Sequence, residues 1–385
     1  MQRLVRLSLF TVAAAVVVFG SMWLFRSELL RLYGISFDRG VAGVSELRLP
    51  DGFTSSVYAS GLATPRFMAS SADGVLFVAE PGADRVVALP DRDGDGRADE
   101  LIVVGEGFDA AHSVAFTEAG SLLVASSGAL FDVTLDEDLH ETARRTLLTY
   151  PGGGAHATRT VAIAPDGSIL VSVGSSCNVC WDSDERRAAI LQASADGGAS
   201  RVLMRGLRNA VGLAFDPETG SAWATNNGRD MMGDDLPPET LYRVIEGTDA
   251  GWPRCHAGDV LDPDLGDEPD PTTGLTACDG VVAPAATFQA HAAPLGITFW
   301  RDHAVIAFHG SWNRSSKVGY EVLWLPWDDG PAGPAEALAT GFLDGATGAA
   351  SGRPAGVVVG ADGALYVSDD KGGFVYRITG PVQDG

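Results

Sequence analysis

Gly206-Leu-Arg-Asn-Ala-Val-Gly-Leu-Ala-Phe-Asp-Pro-Glu-Thr-Gly220, running on through Ser221-Ala-Trp-Ala-Thr225 to Asn226-Asn-Gly-Arg-Asp230, decides the fold. It opens on a polar, cationic tip, Arg208-Asn209, and passes into an apolar run, Val211 to Phe215. It turns at Asp216-Pro-Glu-Thr-Gly220, returns through Trp223, and ends in a second polar tip at Asn226 to Asp230. Short apolar runs flanking a Pro/Gly turn are the signature of a β-hairpin. A hairpin with recognition chemistry at both open ends makes one wall of a binding site.

The same skeleton recurs. Pro65 to Glu80 is one copy, His112 to Ala125 a second, and Arg159 to Val173 a third. Pro294 to Phe308 and Arg353 to Ser368 are two more, so the opening hairpin is the fourth of six. Two further strands follow most copies, as in Arg85-Val-Val-Ala-Leu89 and Phe374-Val-Tyr-Arg-Ile378. Four strands per unit, repeated, predict a β-propeller, because each twisted blade must bury its faces against its neighbours. Six units predict an all-β, six-bladed propeller over residues 51–381. Phe53-Thr-Ser-Ser-Val-Tyr58 is expected to close the ring as the outer strand of the last blade. A β-sandwich accounts for the strands but not for the repeated register.

Composition agrees with a turn-rich protein: 385 residues, 45% hydrophobic, with 48 Gly and 20 Pro and no collagen-like period. A net charge of −23 argues against nucleic acid and against anionic lipid as partners, since basic residues neutralise phosphate. The chain opens differently. Arg3 and Arg6 precede an apolar run over residues 7–25, which as a helix reaches roughly 28 Å, about one bilayer core. Residues 1–26 therefore read as an N-terminal membrane anchor or signal segment, the uncleaved anchor preferred, with Arg3 and Arg6 inside and the remainder exported. Residues 27–50 read as a stalk. Four cysteines fit export: Cys177 and Cys180 in a C-x-x-C, and Cys255 and Cys278 as a second pair, expected as two disulfides. A four-Cys zinc site lacks close ligand spacing in its second pair, and Trp181 after the C-x-x-C excludes a haem c attachment.

Two stretches interrupt the repeat. Asp91-Arg-Asp-Gly-Asp-Gly-Arg-Ala-Asp-Glu100 places Asp91, Asp93, Asp95 and Asp99 at loop positions 1, 3, 5 and 9, with Gly96 at 6. That is most of an EF-hand-type loop and predicts a structural calcium turn, although Ile102 stands where a twelfth-position Glu is expected. Residues 246–283 are acidic and rich in Pro and Gly, and read as an inserted loop stapled by Cys255 and Cys278.

In a propeller the residues just before each first strand and just after each second gather at one mouth of the central channel. They are Arg66, His112, His156, Arg208, Asn209, Gly228, Arg229, Asp230, His291, Trp312, Asn313, Arg314 and Arg353. A cationic rim on so acidic a chain predicts a ligand with several carboxylates or phosphates, which Arg suits by its bidentate geometry. His156, approached through the flexible run Gly152-Gly-Gly154, is the candidate general base.

Several motifs carry a resemblance. They are His156 ahead of Val-Ala-Ile-Ala-Pro-Asp-Gly167, Gly174-Ser-Ser-Cys-Asn-Val-Cys180, Gly206-Leu-Arg-Asn209, Asn227-Gly-Arg-Asp230 with Asp234-Asp235, Gly251-Trp-Pro253, His309-Gly-Ser-Trp-Asn-Arg314 and Gly352-Arg-Pro354. In this order, over about residues 50 to 380, the chain resembles the soluble pyrroloquinoline quinone (PQQ)-dependent glucose and L-sorbosone dehydrogenases, and is closer to the sorbosone and pyranose branch. The resemblance implies a six-bladed quinoprotein that oxidises a sugar or sugar-aldehyde. His156 would take the hydroxyl proton as hydride passes to the quinone C5. Arg208 would polarise the C5 carbonyl, and Asn209 would hold the quinone. Calcium on the backbone carbonyls of Gly228 and Arg229 would act as a Lewis acid. Arg314, Arg353 and Lys317 would bind the PQQ carboxylates, with Trp312 on a ring face. A quinone or a cytochrome would accept the electrons. Arg229 stands where glucose dehydrogenases have Pro, and Ser175-Ser176-Cys177 replaces a glutamine-bearing turn, which puts glucose specificity in doubt. A calcium-dependent lactonase and a propeller used only for binding are the alternatives. The first needs carboxylate and amide ligands at the channel; the second leaves His156 and Arg208 without a task.

Overall fold

The computed structural model describes residues 47–381. The expected anchor over residues 1–26 lies outside them, as do stalk residues 27–46. The body starts a little earlier than expected: Leu47 is buried, and Arg48 and Thr340 exchange backbone hydrogen bonds of 2.9 and 3.0 Å.

Six antiparallel four-stranded sheets form the blades. Blade 1 is Met68–Ser70, Leu76–Glu80, Arg85–Leu89 and Ile102–Glu106, and blade 2 is Ser113–Phe116, Leu122–Ala125, Ala129–Leu135 and Glu141–Thr149. Blade 3 is Arg159–Ile163, Ile169–Val173, Ala189–Ala193 and Ser200–Arg205, with Thr248–Asp249 added in parallel at its outer edge. Blade 4 is Ala210–Phe215, Ala222–Asn226, Glu239–Arg243 and Ala286–Phe288. Blade 5 is Pro294–Trp300, His303–Phe308, Glu321–Pro326 and Glu336–Ala339. Blade 6 takes Pro354–Val359, Leu365–Asp369 and Phe374–Thr379 from the end of the chain and Thr54–Ser60 from its start. Thr54 pairs with Thr379 and Ser60 with Phe374, so the ring closes as the sequence predicts.

The core is divided as blades require, with a hydrophobic cluster between each adjacent pair. Leu123, Val161 and Val171 pack blade 2 on blade 3. Trp223, Ile297 and Phe308 pack blade 4 on blade 5. Tyr58, Val78 and Val375 join the last blade to the first. A small cluster of Phe67, Val211, Leu295 and Ala355, each from an innermost segment of a blade, surrounds the axis.

Glycine and a hydroxyl recur where inner strands approach one another. The inner strands of blades 4, 5 and 6 are irregular across Gly212, Gly296 and Gly356. A Cβ on Gly296 would stand 2.8 Å from Ala355 O, and one on Gly356 2.5 Å from Arg66 O. In blade 4, Thr225 Oγ1 takes the Gly212 N–H (2.8 Å) and donates to Leu295 O (2.8 Å). Ser368 repeats this at the seam, taking the Gly356 N–H (2.8 Å) and donating to Arg66 O (2.6 Å). The hydroxyl satisfies backbone groups that irregular pairing would leave bare.

Candidate functional site

Strand polarity brings the predicted tips to one mouth, where contacts link all six blades. On one side, Asp370 just after blade 6's second strand accepts from Arg66 (2.5 Å) and from His309 Nε2 (2.8 Å). Arg353 Nε lies 3.3 Å from its other oxygen. Arg66 also reaches His112 Nε2 at 3.4 Å, and His112 Nδ1 donates to Arg159 O at 3.0 Å. Burial holds His112 and His309 below the ordinary imidazole range, so both are neutral. Burial works against the charge of Asp370, but His309 and Arg66 hold its carboxyl far below the usual range.

On the other side stand His156 and Arg208. A Cβ on Gly174 would lie 2.6 Å from His156 Cβ and 3.0 Å from Asn209 Oδ1, so glycine is what lets these two side chains converge. His156 Nδ1 faces Ser175 Oγ at 2.8 Å and Ser175 O at 3.2 Å. Ser175 Oγ gives its only proton to Cys177 O at 2.7 Å. Both neighbours of Nδ1 are therefore acceptors, which puts the imidazole proton on Nδ1 and leaves the Nε2 lone pair free. Burial, with the Arg208 charge second, pushes His156 down to about 3. The glycine run before it is not the flexible approach expected. Arg187 donates to Gly153 O (3.1 Å) and Gly152 O (2.5 Å), and the buried Arg159 to His156 O, Thr158 O and Pro151 O, each at 2.7 Å.

The rim differs from expectation in its charge. Most of its arginines are paired rather than waiting for an anion: Arg66 with Asp370, Arg208 with Asp230 (2.6 Å), and Arg229 with Asp262 and Asp264 of the insert. Arg229 gives its side chain to the insert. Arg314 is likewise committed, to Asp234 O, to Ala290 O (3.2 Å) and to Asp235. Of the compensating acids, Asp230 belongs to the predicted rim and Asp370 follows a second strand; Asp262 and Asp264 come from the insert, where counting residues at hairpin tips does not find them. Besides Asn209, whose buried Oδ1 has no hydrogen-bond partner, three predicted residues remain available. Arg353 is 42% exposed, and its Nε has no hydrogen-bond partner. Lys317 is exposed, 6.0 Å from the Tyr320 ring, and Trp312 is 70% exposed.

The cation-binding candidates divide. At Gly228 and Arg229 neither backbone carbonyl accepts a hydrogen bond from a described residue, and the buried Asn227 Oδ1 beside them also has no partner. Gly228 N donates to Glu239 Oε2 at 2.6 Å, fixing this peptide, and burial pushes Glu239 up to about 7. Three oxygens left open on adjacent residues suit a hard cation. In the acidic turn, Asp91, Asp93 and Asp99 converge to within 4.8 Å. Asp95 stands outside that group, and Asp91 spends both oxygens on the N–H groups of Gly94 (2.8 Å) and Gly96 (2.9 Å). Both disulfides form as predicted, Cys177–Cys180 and Cys255–Cys278. Sequence reasoning missed Ser175 as the partner of His156, Asn178 as that of Arg208, and Asp370; only Asp370's place after a second strand marked it.

Fold and site together define a closed six-bladed propeller with a neutral histidine and a buried arginine at its mouth. The chain belongs to the TrAA12-like family, which matches residues 47–237 and 265–381. It is 28% identical over 412 residues to the pyrroloquinoline quinone-dependent pyranose dehydrogenase of Coprinopsis cinerea, covering 88% of this chain and 55% of that one. It thus spans about half the length of that relative. It is 28% identical over 313 residues to the pyrroloquinoline quinone-dependent sugar dehydrogenase of Hypocrea jecorina, covering 68% of this chain and 72% of that protein. The solved holo form of the Coprinopsis cinerea pyranose dehydrogenase PQQ domain superposes with a TM-score of 0.75 at 25% identity, covering 87% of this chain and 97% of that one.

Proposed function

We propose that the protein is a sugar oxidoreductase that uses PQQ and Ca²⁺, acting on a sugar or sugar-aldehyde. The observation that carries this is the convergence, in a TrAA12-like chain, of a proton-accepting His156 Nε2 and a buried Arg208 beside buried acceptors that have no partner. The Arg353 guanidinium, Lys317 and Trp312 are the groups that would hold a flat tricarboxylate, with Asn209 helping to hold its quinone, and the Gly228 and Arg229 carbonyls those that would hold its cation. Bound there, PQQ supplies a two-electron hydride acceptor and Ca²⁺ a Lewis acid. His156 Nε2 then accepts the proton of the sugar hydroxyl, and Ser175 keeps that nitrogen free. Arg208, anchored by Asp230, offers a fixed positive charge where negative charge develops.

Two disulfides and the apolar segment at residues 7–25 support an exported enzyme held at a membrane by its N-terminus, passing electrons to a separate quinone or cytochrome. The test is direct. Full-length protein purified without cofactor is given PQQ and Ca²⁺ and assayed for dye reduction with a panel of aldoses and aldehydes. Calcium-dependent PQQ binding and sugar-dependent reduction are expected; absence of both, or lactone hydrolysis without PQQ, sinks the reading.

A further inference from the structure

Arg208 is held mainly by one residue that the mechanism above does not use. Its Nε donates to Asn178 O (3.0 Å) and its Nη2 to Asn178 Oδ1 (2.8 Å) and to Asp230 Oδ2 (2.6 Å). The remaining contact, Nη1 to Asn227 O, is long at 3.5 Å. Asn178 also clasps the main chain of Asp230: Asp230 N donates to Asn178 Oδ1 (2.9 Å), and Asn178 Nδ2 donates to Asp230 O (3.1 Å). Trp252 Nε1 donates to Asn178 O at 3.1 Å, filling its second lone pair. The carboxamide supplies, on separate atoms, a donor for Asp230 O and a two-lone-pair acceptor for Arg208 and Asp230 N.

Asn178 lies inside the ring closed by Cys177–Cys180 (Cα–Cα 6.2 Å), and the ring is tied behind by Ser176 N to Asp182 Oδ2 (3.1 Å). We propose that Asn178, presented by this four-residue disulfide ring, is the positioning residue that sets the Arg208 guanidinium against Asp230 and carries the second polar tip of blade 4 with it. Its role is exerted through Arg208 and Asp230, the two residues it holds. The ring is what makes a loop residue rigid enough for the task, since closing it removes conformations that would release both ends of the clasp.

The inference rests on the PQQ reading only for its kinetic consequence, so the test keeps the two apart. Full-chain variants Asn178→Ala and Cys177→Ala/Cys180→Ala are compared with wild type and with Cys255→Ala/Cys278→Ala. Crystal structures of the cofactor-free proteins locate the Arg208 guanidinium. In both site variants it is expected to leave its wild-type place, while the Cys255→Ala/Cys278→Ala control keeps it. PQQ affinity, read by tryptophan quenching, and kcat are expected to fall about tenfold or more, the loss of a hydrogen bond to a charged group. KM for the sugar should stay within about twofold, a split that general loosening of the fold does not produce. Asn178→Asp, which keeps the acceptor for Arg208 but loses the donor to Asp230 O, is expected to recover part of the loss. A guanidinium unmoved in both site variants overturns the inference, whatever PQQ does. Wild type that fails to bind PQQ overturns the cofactor reading instead and leaves the crystallographic comparison to decide.

Discussion

His156 combines a tautomer locked by Ser175 with a pKa pushed down to about 3. Its folded pKa lies below the unfolded value near 6.5, so the neutral form is favoured by folding. That contribution is fully present above pH 6.5 and is lost as pH falls toward 3. Kinetically, the base stays available across the range in which a free histidine protonates. The pH profile of kcat/KM for the PQQ-loaded enzyme is therefore expected to show no inflection near 6.5, and an acid limb with a midpoint there sinks the assignment. His156→Ala should reduce kcat by about 10²–10⁴-fold with PQQ still bound, measured as dye reduction against cofactor absorbance. At this scale the sequence revealed the actors but not their partners. His156 and Arg208 stood out because they precede inner strands, which is a one-dimensional property. Ser175, Asn178 and Asp370 act through distances set by folding, and the same holds for the charge of the rim. Its arginines and Asp230 could be counted along the chain; that they pair, and that Asp262 and Asp264 of the insert join them, could not.

At the scale of the element, the insert over residues 246–283 was readable as an irregular, disulfide-stapled loop, but its attachment was not. Arg229 reaches out of the second tip of blade 4 into the insert and meets Asp262, whose side chain is 0% exposed. His256 Nε2 lies 2.8 Å from the same carboxylate, and the N–H groups of Asp264 and Leu265 each donate to it at 2.9 Å. Burial works against this charge, yet these donors and Arg229 hold Asp262 well below the ordinary carboxylate range. The pairing gives the Arg229 side chain to the insert, while its peptide carbonyl accepts no hydrogen bond from a described residue. Removing Arg229 leaves a buried carboxylate with fewer partners. Arg229→Ala is expected to cost about 3 kcal/mol, the low end for breaking a buried pair, because His256 and two backbone donors remain. The loss should show as faster hydrogen exchange confined to the insert; unchanged protection there would show that Arg229 does not anchor it. The Asp264 half of the contact adds little, since that carboxylate is mostly exposed.

The whole molecule is a ring in which a segment near residue 60 must find one near residue 370, and both were readable because blade repeats impose a count. Six hairpins and one orphan strand require closure by that strand, and Thr54–Ser60 supplies it. The inter-blade latches were not readable, because a Ser or Thr in a strand looks the same whether it faces solvent or a neighbour's backbone. Their effect can be tested at the seam. Gly356 carries no left-handed φ, so alanine there meets a steric obstacle alone: Arg66 O at 2.5 Å, with Phe67 Cα and Ser368 Oγ at 3.1 Å. Backbone on the far side of a closed ring cannot retreat without parting blades 1 and 6. Gly356→Ala should therefore cost about 2 kcal/mol by overpacking. Gly363→Ala is the control, since nothing lies within 4 Å of it and only its φ of +74° penalises a side chain. Two stability losses of similar size would then differ in their pattern. At Gly356 the strain parts Ser368 from Arg66 and loosens the Tyr58, Val78 and Val375 cluster, so amides of Thr54–Ser60 and Met68–Ser70 exchange faster together. At Gly363 the change stays within the blade 6 turn. Equal exchange at the seam in both variants would mean that the latch does not close the ring, and that the paired strands of blade 6 hold it alone.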